Sequence, residues 1–359
     1  MNFDELLAAP QFSLPQADKD RVLGAQLREL TERHRSACAD YRKIVDLIFA
    51  GGRQIETPAD VPFLPVSLFK TRTLRSIPES EVFKIMHSSG TTGQVPSRIF
   101  LDRETARRQT LALSRIMTHV LGGRRLPMIL VESDGIVKDR RQFNARAAGL
   151  LGMLTFGRQH FYALDEDARL SVDGLREFLE RHGQEPFLIF GFTYLVWQRF
   201  FEVIAPLRID LSNGILVHSG GWKKLVEQAV DNGEFRRRFR EATGLKRIYN
   251  FYGMVEQVGS VYLEGDDGLL YAPNFADVII RDPLTLDVLP VGEPGLIQVC
   301  SALPLSYPGH SLLTEDLGIV HHVDNPQSGR LGKAFSVIGR IPRAELRGCS
   351  DVLAATVGG

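Results

Sequence analysis

The sequence predicts an α/β protein: layered βαβ subdomains followed by a small β-rich subdomain. Three observations carry that prediction. From residue 82 to about 252, short apolar runs alternate with amphipathic stretches, the pattern of buried strands joined by helices. From 268 to about 339, Pro and Gly recur every few residues between short β-branched runs, which reads as a small antiparallel sheet or barrel. The chain has 359 residues, 44% hydrophobic and 24% charged, an ordinary globular composition long enough to bury a sizeable core.

Taken in order, residues 1–80 read as mainly helical. Val22, Leu23, Leu27 and Leu30, then Ile44, Val45 and Ile48, recur at helical spacing. Pro58, Pro62 and Pro65 end this region as an ordered connector. Residues 81–267 form the α/β part. Its expected strands are 82–86, 128–131, 187–190, 215–217 and 247–251, and its expected helices are 103–120, 172–182, 222–231 and 234–243. Residues 268–338 form the β-rich part. Residues 339–359 are a short tail that carries Cys349 and ends in Ala-Ala-Thr-Val-Gly-Gly.

Charge narrows the functions. Lys plus Arg number 43 and Asp plus Glu number 43, so there is none of the basic excess of a polyanion binder. The cluster Arg236-Arg237-Arg238 has acidic neighbours and reads as a solvated helix face. No apolar run approaches the ~18 residues of a membrane span. The start, Met1-Asn2-Phe3-Asp4-Glu5, lacks a signal peptide's regions, so a cytoplasmic protein is expected. Cys38, Cys300 and Cys349 are far apart without Cys-x-x-Cys spacing, and each is expected as a reduced thiol.

The chemistry-bearing motifs begin at His87-Ser88-Ser89-Gly90-Thr91-Thr92-Gly93, after an apolar run. Gly90 and Gly93 allow positive φ and close approach of backbone to ligand. The hydroxyls of Ser88, Ser89, Thr91 and Thr92 and successive N–H groups suit an anion. The Gly-Lys-Ser/Thr ending of a Walker loop is missing; the plainer alternative is a polar hairpin turn. Next comes Asn250-Phe251-Tyr252-Gly253-Met254-Val255-Glu256. A strand ends there, Gly253 permits a turn, and Glu256 could hold Mg²⁺, which prefers oxygen ligands. Tyr252 could stack on a base. A buried Tyr and a surface Glu are the alternative. In 312–318, Asp316 precedes Leu and Gly and could accept bonds from ribose hydroxyls, although Asp before Gly usually marks a turn. Gly339-Arg340 then stands before a hinge. Phe190-Gly191-Phe192-Thr193-Tyr194 ends a strand and suits an acyl pocket, or simply packs as core aromatics around a tight glycine. His218 either lines the same cavity or is a satisfied core histidine.

In order and spacing these motifs resemble the adenylate-forming (acyl-activating) superfamily of acyl-CoA synthetases, firefly-type luciferases and peptide-synthetase adenylation domains. The resemblance runs from about Phe83 to Arg340. It implies the fold of that superfamily's large N-terminal domain, with ATP and Mg²⁺ as cofactors. By the resemblance, Ser88 to Gly93 hold the phosphates, and Tyr252 and Glu256 serve adenine and Mg²⁺. Asp316 binds ribose, and Arg340 ends the large domain. His218-Ser219-Gly220-Gly221-Trp222-Lys223-Lys224 looks like the superfamily's Gly-Gly loop beside adenine. Three departures stand out: Pro96 is followed by Ser97 and Arg98 where Pro-Lys is usual, Val255 replaces the usual Thr, and the large C-terminal domain with its catalytic lysine is missing.

The short tail makes the chain similar to the LuxE-type acyl-protein synthetase family, whose members carry an acyl-accepting cysteine near the C-terminus. Here that position is Cys349, beside Arg347 and Arg343, which could lower its pKa; an inert tail thiol is the alternative. The expected activity is ATP-dependent activation of a carboxylic, fatty acid as acyl-adenylate. Transfer to Cys349 and delivery to an aldehyde-forming reductase or acyl carrier would follow. A single-domain acyl- or aryl-CoA ligase and a non-catalytic subunit that keeps the fold are the rivals.

Overall fold

Residues 1–49, 54–88, 95–138, 145–222 and 230–341 are described by the structure, a computed structural model. They fall into two units. Unit 1 comprises Met1–Ile116, Gly253–Tyr262 and the chain from Leu269; unit 2 comprises Met117–Tyr252 and Leu263–Gly268. The cut after Gly268 lies one residue from the segment boundary at 267, and no cut lies near 80.

The chain opens with α1 (Phe3–Ala8), α2 (Gln16–Ala37) and α3 (Ala39–Ile48). The apolar positions of α2 that set its spacing, Val22, Leu23, Leu27 and Leu30, are all buried. Extended backbone at Cys38 separates α2 from α3, which periodicity alone does not show. Gly24 sits inside α2 although glycine is a poor helix former. A Cβ there would lie 2.2 Å from the Glu56 carbonyl oxygen, so the helix touches backbone at that point. Gly24→Ala should therefore destabilise the protein by about 1–3 kcal/mol, the usual cost of overpacking. A urea midpoint equal to wild type would contradict this.

The Pro-rich connector becomes a 3₁₀ turn at Pro58–Asp60 and a short strand, β1 (Leu64–Pro65). α4 (Leu68–Thr71) and the hairpin of β2 (Lys84–His87) and β3 (Arg98–Leu101) follow. The strand expected at 82–86 starts and ends slightly later. α5 (Arg103–Leu121) contains the unit boundary.

Unit 2 is a parallel sheet with helical crossovers. It contains β4 (Leu126–Val131), α6 (Gly135–Lys138), α7 (Ala145–Leu154), β5 (Gly157–Tyr162) and α8 (Val172–His182). Next come β6 (Phe187–Phe192), α9 (Thr193–Leu195), α10 (Glu202–Ile204), β7 (Gly214–Ser219), α11 (Asn232–Thr243) and β8 (Arg247–Tyr252). The strand order is β8-β7-β6-β4-β5, every pair parallel. The central strands are continuous apolar runs because helices cover both faces of such a sheet. The edge strand β5 carries Arg158, Gln159 and His160 on exposed positions, so its composition hides it. A π-helical turn, Val196–Phe201, joins α9 to α10. Of the helix expected at 222–231, residues 223–229 lie outside the described residues. Asp231 is not helical; its side chain caps α11 by accepting from the Glu234 N–H at 2.8 Å. Arg237 and Arg238 on α11 pair with exposed or half-exposed glutamates, as expected of a solvated face. Arg236 does not: half-buried, it pairs with the buried Glu264.

The chain then forms β9 (Tyr262–Glu264), β10 (Leu270–Tyr271), β11 (Ala276–Arg281), β12 (Pro294–Ser301), β13 (Ser311–Val323) and β14 (Lys333–Arg340). In unit 1 the order β11-β12-β13-β14-β10 is antiparallel throughout, and β1 adds to β13 in parallel. Of the two forms expected for this region, the sheet is the one seen.

Unit 1 buries two histidines completely. His34 lies between Ser76 Oγ (2.8 Å to Nδ1) and the Pro304 carbonyl (3.1 Å to Nε2), so its Nε2 carries the proton. His310 stacks on it at 5.0 Å and meets Thr31 Oγ1 at 3.0 Å. Burial pushes the His34 pKa down to about 3 and that of His310 well below its usual value. Both rings are neutral when folded but protonate near pH 6.5 when unfolded. The unfolded state therefore binds more protons as the pH drops below that value. Stability should fall on acidification by about 1.4 kcal/mol per pH unit for each ring. Urea midpoints at pH 7.5 and 5.5 check this; equal midpoints would refute it.

Candidate active site

The candidate residues form two groups, one in each unit. In unit 2 they gather where parallel strands end, the place where open α/β sheets bind ligands. Register aligns Val131, Gly191, His218 and Asn250 across β4, β6, β7 and β8. Neighbours in register on parallel strands point to the same face. At Gly191 a Cβ would lie 2.6 Å from Val196 Cγ2 and 2.8 Å from Val131 Cβ, so packing alone demands glycine. Phe192, half-buried, packs beside the Arg146 guanidinium at 5.8 Å. Arg146 is ion-paired with the buried Glu132, Nε to Oε2 being 2.7 Å. No sequence signal singled out this pair.

His218 is buried to 2% exposure. Its Nδ1 lies 2.9 Å from Thr193 Oγ1, and its ring stacks on Phe235 at 4.6 Å. Its Nε2 is buried without a hydrogen-bond partner. Burial lowers its pKa to about 3. The chain then turns at Gly220, whose φ of +83° suits glycine, and Gly221, where a Cβ would meet nothing within 4 Å. Both are exposed, so a ligand can approach their backbone closely.

On β8, the Asn250 N–H donates to Glu264 Oε2 at 2.6 Å, while its side-chain Oδ1 is buried and unpartnered. Glu264 also accepts from Asn232 and Arg236, at 2.6 and 2.7 Å. Burial raises its pKa and these partners oppose the rise. Glu264 thus ties β8 to α11, a support that only long-range folding reveals. Tyr252 is the last residue of β8 and half-buried.

In unit 1, β2 and β3 bracket the Ser/Thr/Gly loop. The Ser88 N–H donates to the Ser97 carbonyl (3.2 Å) and the Ser97 N–H to Ser88 Oγ (2.8 Å), closing the loop's base. Ser89, Gly90, Thr91, Thr92 and Gly93 lie outside the described residues. Arg98 donates to Thr73 Oγ1 at 3.0 Å. After Gly253, Glu256 sits in a 3₁₀ turn, Val255–Gln257, and is buried rather than on the surface. Burial pushes its carboxyl above the usual range and nearby Glu315 adds to that; Ser97 and Lys70 oppose it. Gln257 anchors the turn by donating to the carbonyls of Gly309 (3.0 Å) and Val299 (3.4 Å). Gly309 is glycine because a Cβ would lie 2.7 Å from the Glu256 carbonyl oxygen. Asp316, instead of marking a turn, lies inside β13 opposite Arg340 of β14, whose Nε reaches its Oδ1 at 3.1 Å. Arg340 is largely exposed, so this pair adds little stability.

The acyl-protein synthetase LuxE family matches residues 2–357. The chain belongs to the LuxE acyl-protein synthetase family. It is similar to the long-chain-fatty-acid–luciferin-component ligase of Vibrio harveyi, 25% identical over 323 residues covering 87% of this chain and 82% of that protein. The Aliivibrio fischeri protein of the same name is 23% identical over 316 residues, covering 84% and 80%. Among solved structures, 2-hydroxyisobutyryl-CoA ligase with 2-HIB-AMP and CoA superposes with a TM-score of 0.70 at 20% identity, over 92% of this chain and 77% of that one. ATP-bound MatB from Rhodopseudomonas palustris gives 0.50 at 14%, over 74% and 49%. The fold is that of adenylate-forming enzymes.

As a LuxE-family ligase, the chain can be tested against the cofactors of that chemistry. Among the described residues no cluster of three or more His, Cys, Asp or Glu could hold a metal. Mg²⁺ needs no such cage, since one or two carboxylates and substrate phosphates usually bind it. Glu256 fits that pattern, with the buried hydroxyls of Ser97 and Tyr307 close by. Two of the three thiols are committed to the core. Cys38 and Cys300 are free and buried, and burial pushes the Cys300 pKa up to about 12. Such thiols are inert. Cys349 lies outside the described residues. Among the described residues, no helix is long and apolar enough to cross a membrane.

Proposed function

We propose that this LuxE-family synthetase activates a long-chain fatty acid with ATP and passes the acyl group to its own Cys349. The single observation that carries this reading is the buried Glu256 carboxylate held beside the base of the Ser/Thr/Gly loop at Ser97. In the first step a carboxylate oxygen of the acid attacks the α-phosphorus of ATP. The new P–O bond forms as the bond to pyrophosphate breaks, leaving the acyl-adenylate. The loop that begins at Ser88 holds the phosphates. Glu256 would hold Mg²⁺, which when bound would offset charge on the phosphate oxygens. Asp316, oriented by Arg340, accepts from ribose hydroxyls. Gly220 and Gly221 leave backbone open for the adenine, with Tyr252 and Asn250 alongside.

In the second step the Cys349 thiolate attacks the acyl carbon. The C–S bond forms, the C–O bond to AMP breaks, and the thiol proton passes to solvent. The burial of Cys38 and Cys300 supports Cys349 as the acceptor, because neither sulfur is open to an acyl-adenylate. An acyl-thioester on the protein then suits a partner that reduces thioesters to aldehydes. The similarity to long-chain-fatty-acid–luciferin-component ligases supports a long-chain acid. Exchange of labelled pyrophosphate into ATP, measured with short, long and aromatic acids, tests the first step. Exchange that depends on a long-chain acid is expected; none with any acid would overturn the reading.

A further inference from the structure

We propose that His218 binds the carboxyl group of the acid, donating a hydrogen bond from Nε2 to a carboxyl oxygen. The identity of that ligand as a carboxylic acid rests on the adenylation reading; the existence of a polar contact at Nε2 does not. His218 occupies the last turn-ward stretch of β7, every residue of which is buried. Its ring is fixed on two sides, by Thr193 Oγ1 at Nδ1 and by the face of Phe235. The remaining polar atom, Nε2, has no hydrogen-bond partner. A buried polar group left unpaired is costly and is kept where a ligand completes it. Packing gives no reason for an unpaired nitrogen there: the ring lies against the face of Phe235, and a phenyl ring would stack on it as well.

The chemistry fits a carboxylate in three respects. First, the Thr193 hydroxyl can donate to Nδ1, which places the proton on Nε2 and makes it a donor. Second, burial keeps the ring neutral, so it can release the acyl oxygen without separating an ion pair. That oxygen accepts equally as carboxylate and, after adenylation, as carbonyl. Third, the arginine whose charge reaches the ring, Arg236, is already taken, since it is paired with Glu264. In register on β8, Asn250 offers a second buried orphan, the acceptor Oδ1. A donor and an acceptor side by side match an acyl-adenylate, which carries an acyl oxygen and nucleoside N–H and O–H groups.

The test uses the full chain as wild type, His218→Phe and Thr193→Val. Displacement of a fluorescent long-chain fatty acid compares palmitic acid with the alcohol of equal chain length, and pyrophosphate exchange gives KM for acid and ATP. The alcohol comparison cancels the contribution of the apolar chain and of general packing. His218→Phe should cut the acid-over-alcohol preference and raise the acid KM, each about tenfold or more, the usual effect of losing a hydrogen bond to a charged group. ATP KM should stay within twofold, and Thr193→Val should show a smaller change in the same direction. An unchanged acid-over-alcohol ratio in both variants would overturn the proposal, as would a parallel rise in acid and ATP KM. Wild type that prefers the acid but shows no exchange would instead overturn adenylation and leave the contact standing.

Discussion

Glu256→Gln reduces acid-dependent pyrophosphate exchange by about a hundredfold or more, the effect of losing a group that organises charge stabilisation in the transition state, while the protein melts no lower than wild type. The two halves of this prediction have one cause. Burial disfavours the charged carboxyl of Glu256 and raises its pKa. A neutral amide of the same shape therefore costs the fold nothing and relieves a desolvated charge. Catalysis has the opposite requirement, since only an anion attracts Mg²⁺ strongly. The Gln257 anchor and the Gly309 contact keep the turn in place in the variant. A variant that retains more than half of wild-type exchange, or that unfolds, would show Glu256 to be structural. Isotopic exchange and thermal melting on the same preparation separate these outcomes.

Cys349→Ser keeps pyrophosphate exchange within about twofold of wild type but abolishes hydroxylamine-labile acyl label, because a serine hydroxyl is a far weaker nucleophile than a thiolate. The prediction is sharp because the other two thiols cannot substitute. Cys38 is 4% exposed and Cys300 fully buried. The Cys300 sulfur lies 3.7 Å from Ser311 Oγ in the core of the sheet, and its pKa is pushed up to about 12. Labelled long-chain acid, ATP and mass mapping of the thioester make the measurement. Equal label in wild type and variant would remove Cys349 from the mechanism. If label then appeared only on added coenzyme A, the chain would be a CoA ligase.

Much of the architecture was legible from local pattern. The strands at β4, β6, β7 and β8 were visible because a sheet covered by helices on both faces needs uninterrupted apolar runs. α5, α8 and α11 were visible because one apolar stripe at helical spacing faces each core. Helix α2 read correctly even though Gly24 argues against it, since the surrounding leucines outweigh one glycine. Edge strand β5 was missed, because a half-solvated strand carries polar residues such as Arg158 and His160. The π-helical turn Val196–Phe201 has no periodicity that distinguishes it from an α-helix. The family, too, was legible, since motif order along the chain survives where overall identity is low.

The candidate site divides along the same line. Sequence by itself determined which residue types stand in which order: the hydroxyl-rich loop from Ser88, the Tyr252–Glu256 element, Asp316 before Gly318, and a thiol near the end. These are local, and local spacing is what a sequence records. Only the tertiary structure decided what each is paired with. Asp316 proved to be in a long strand facing Arg340, because the sheet pairs β13 with β14 across a separation no local rule spans. Arg236 left its solvated neighbours for Glu264, and Glu256 was buried against Ser97 instead of lying on the surface. His218 could have been a satisfied core histidine until its unpartnered Nε2 was seen. Burial and partnership depend on atoms brought together from distant parts of the chain, so these properties exist only once the fold does.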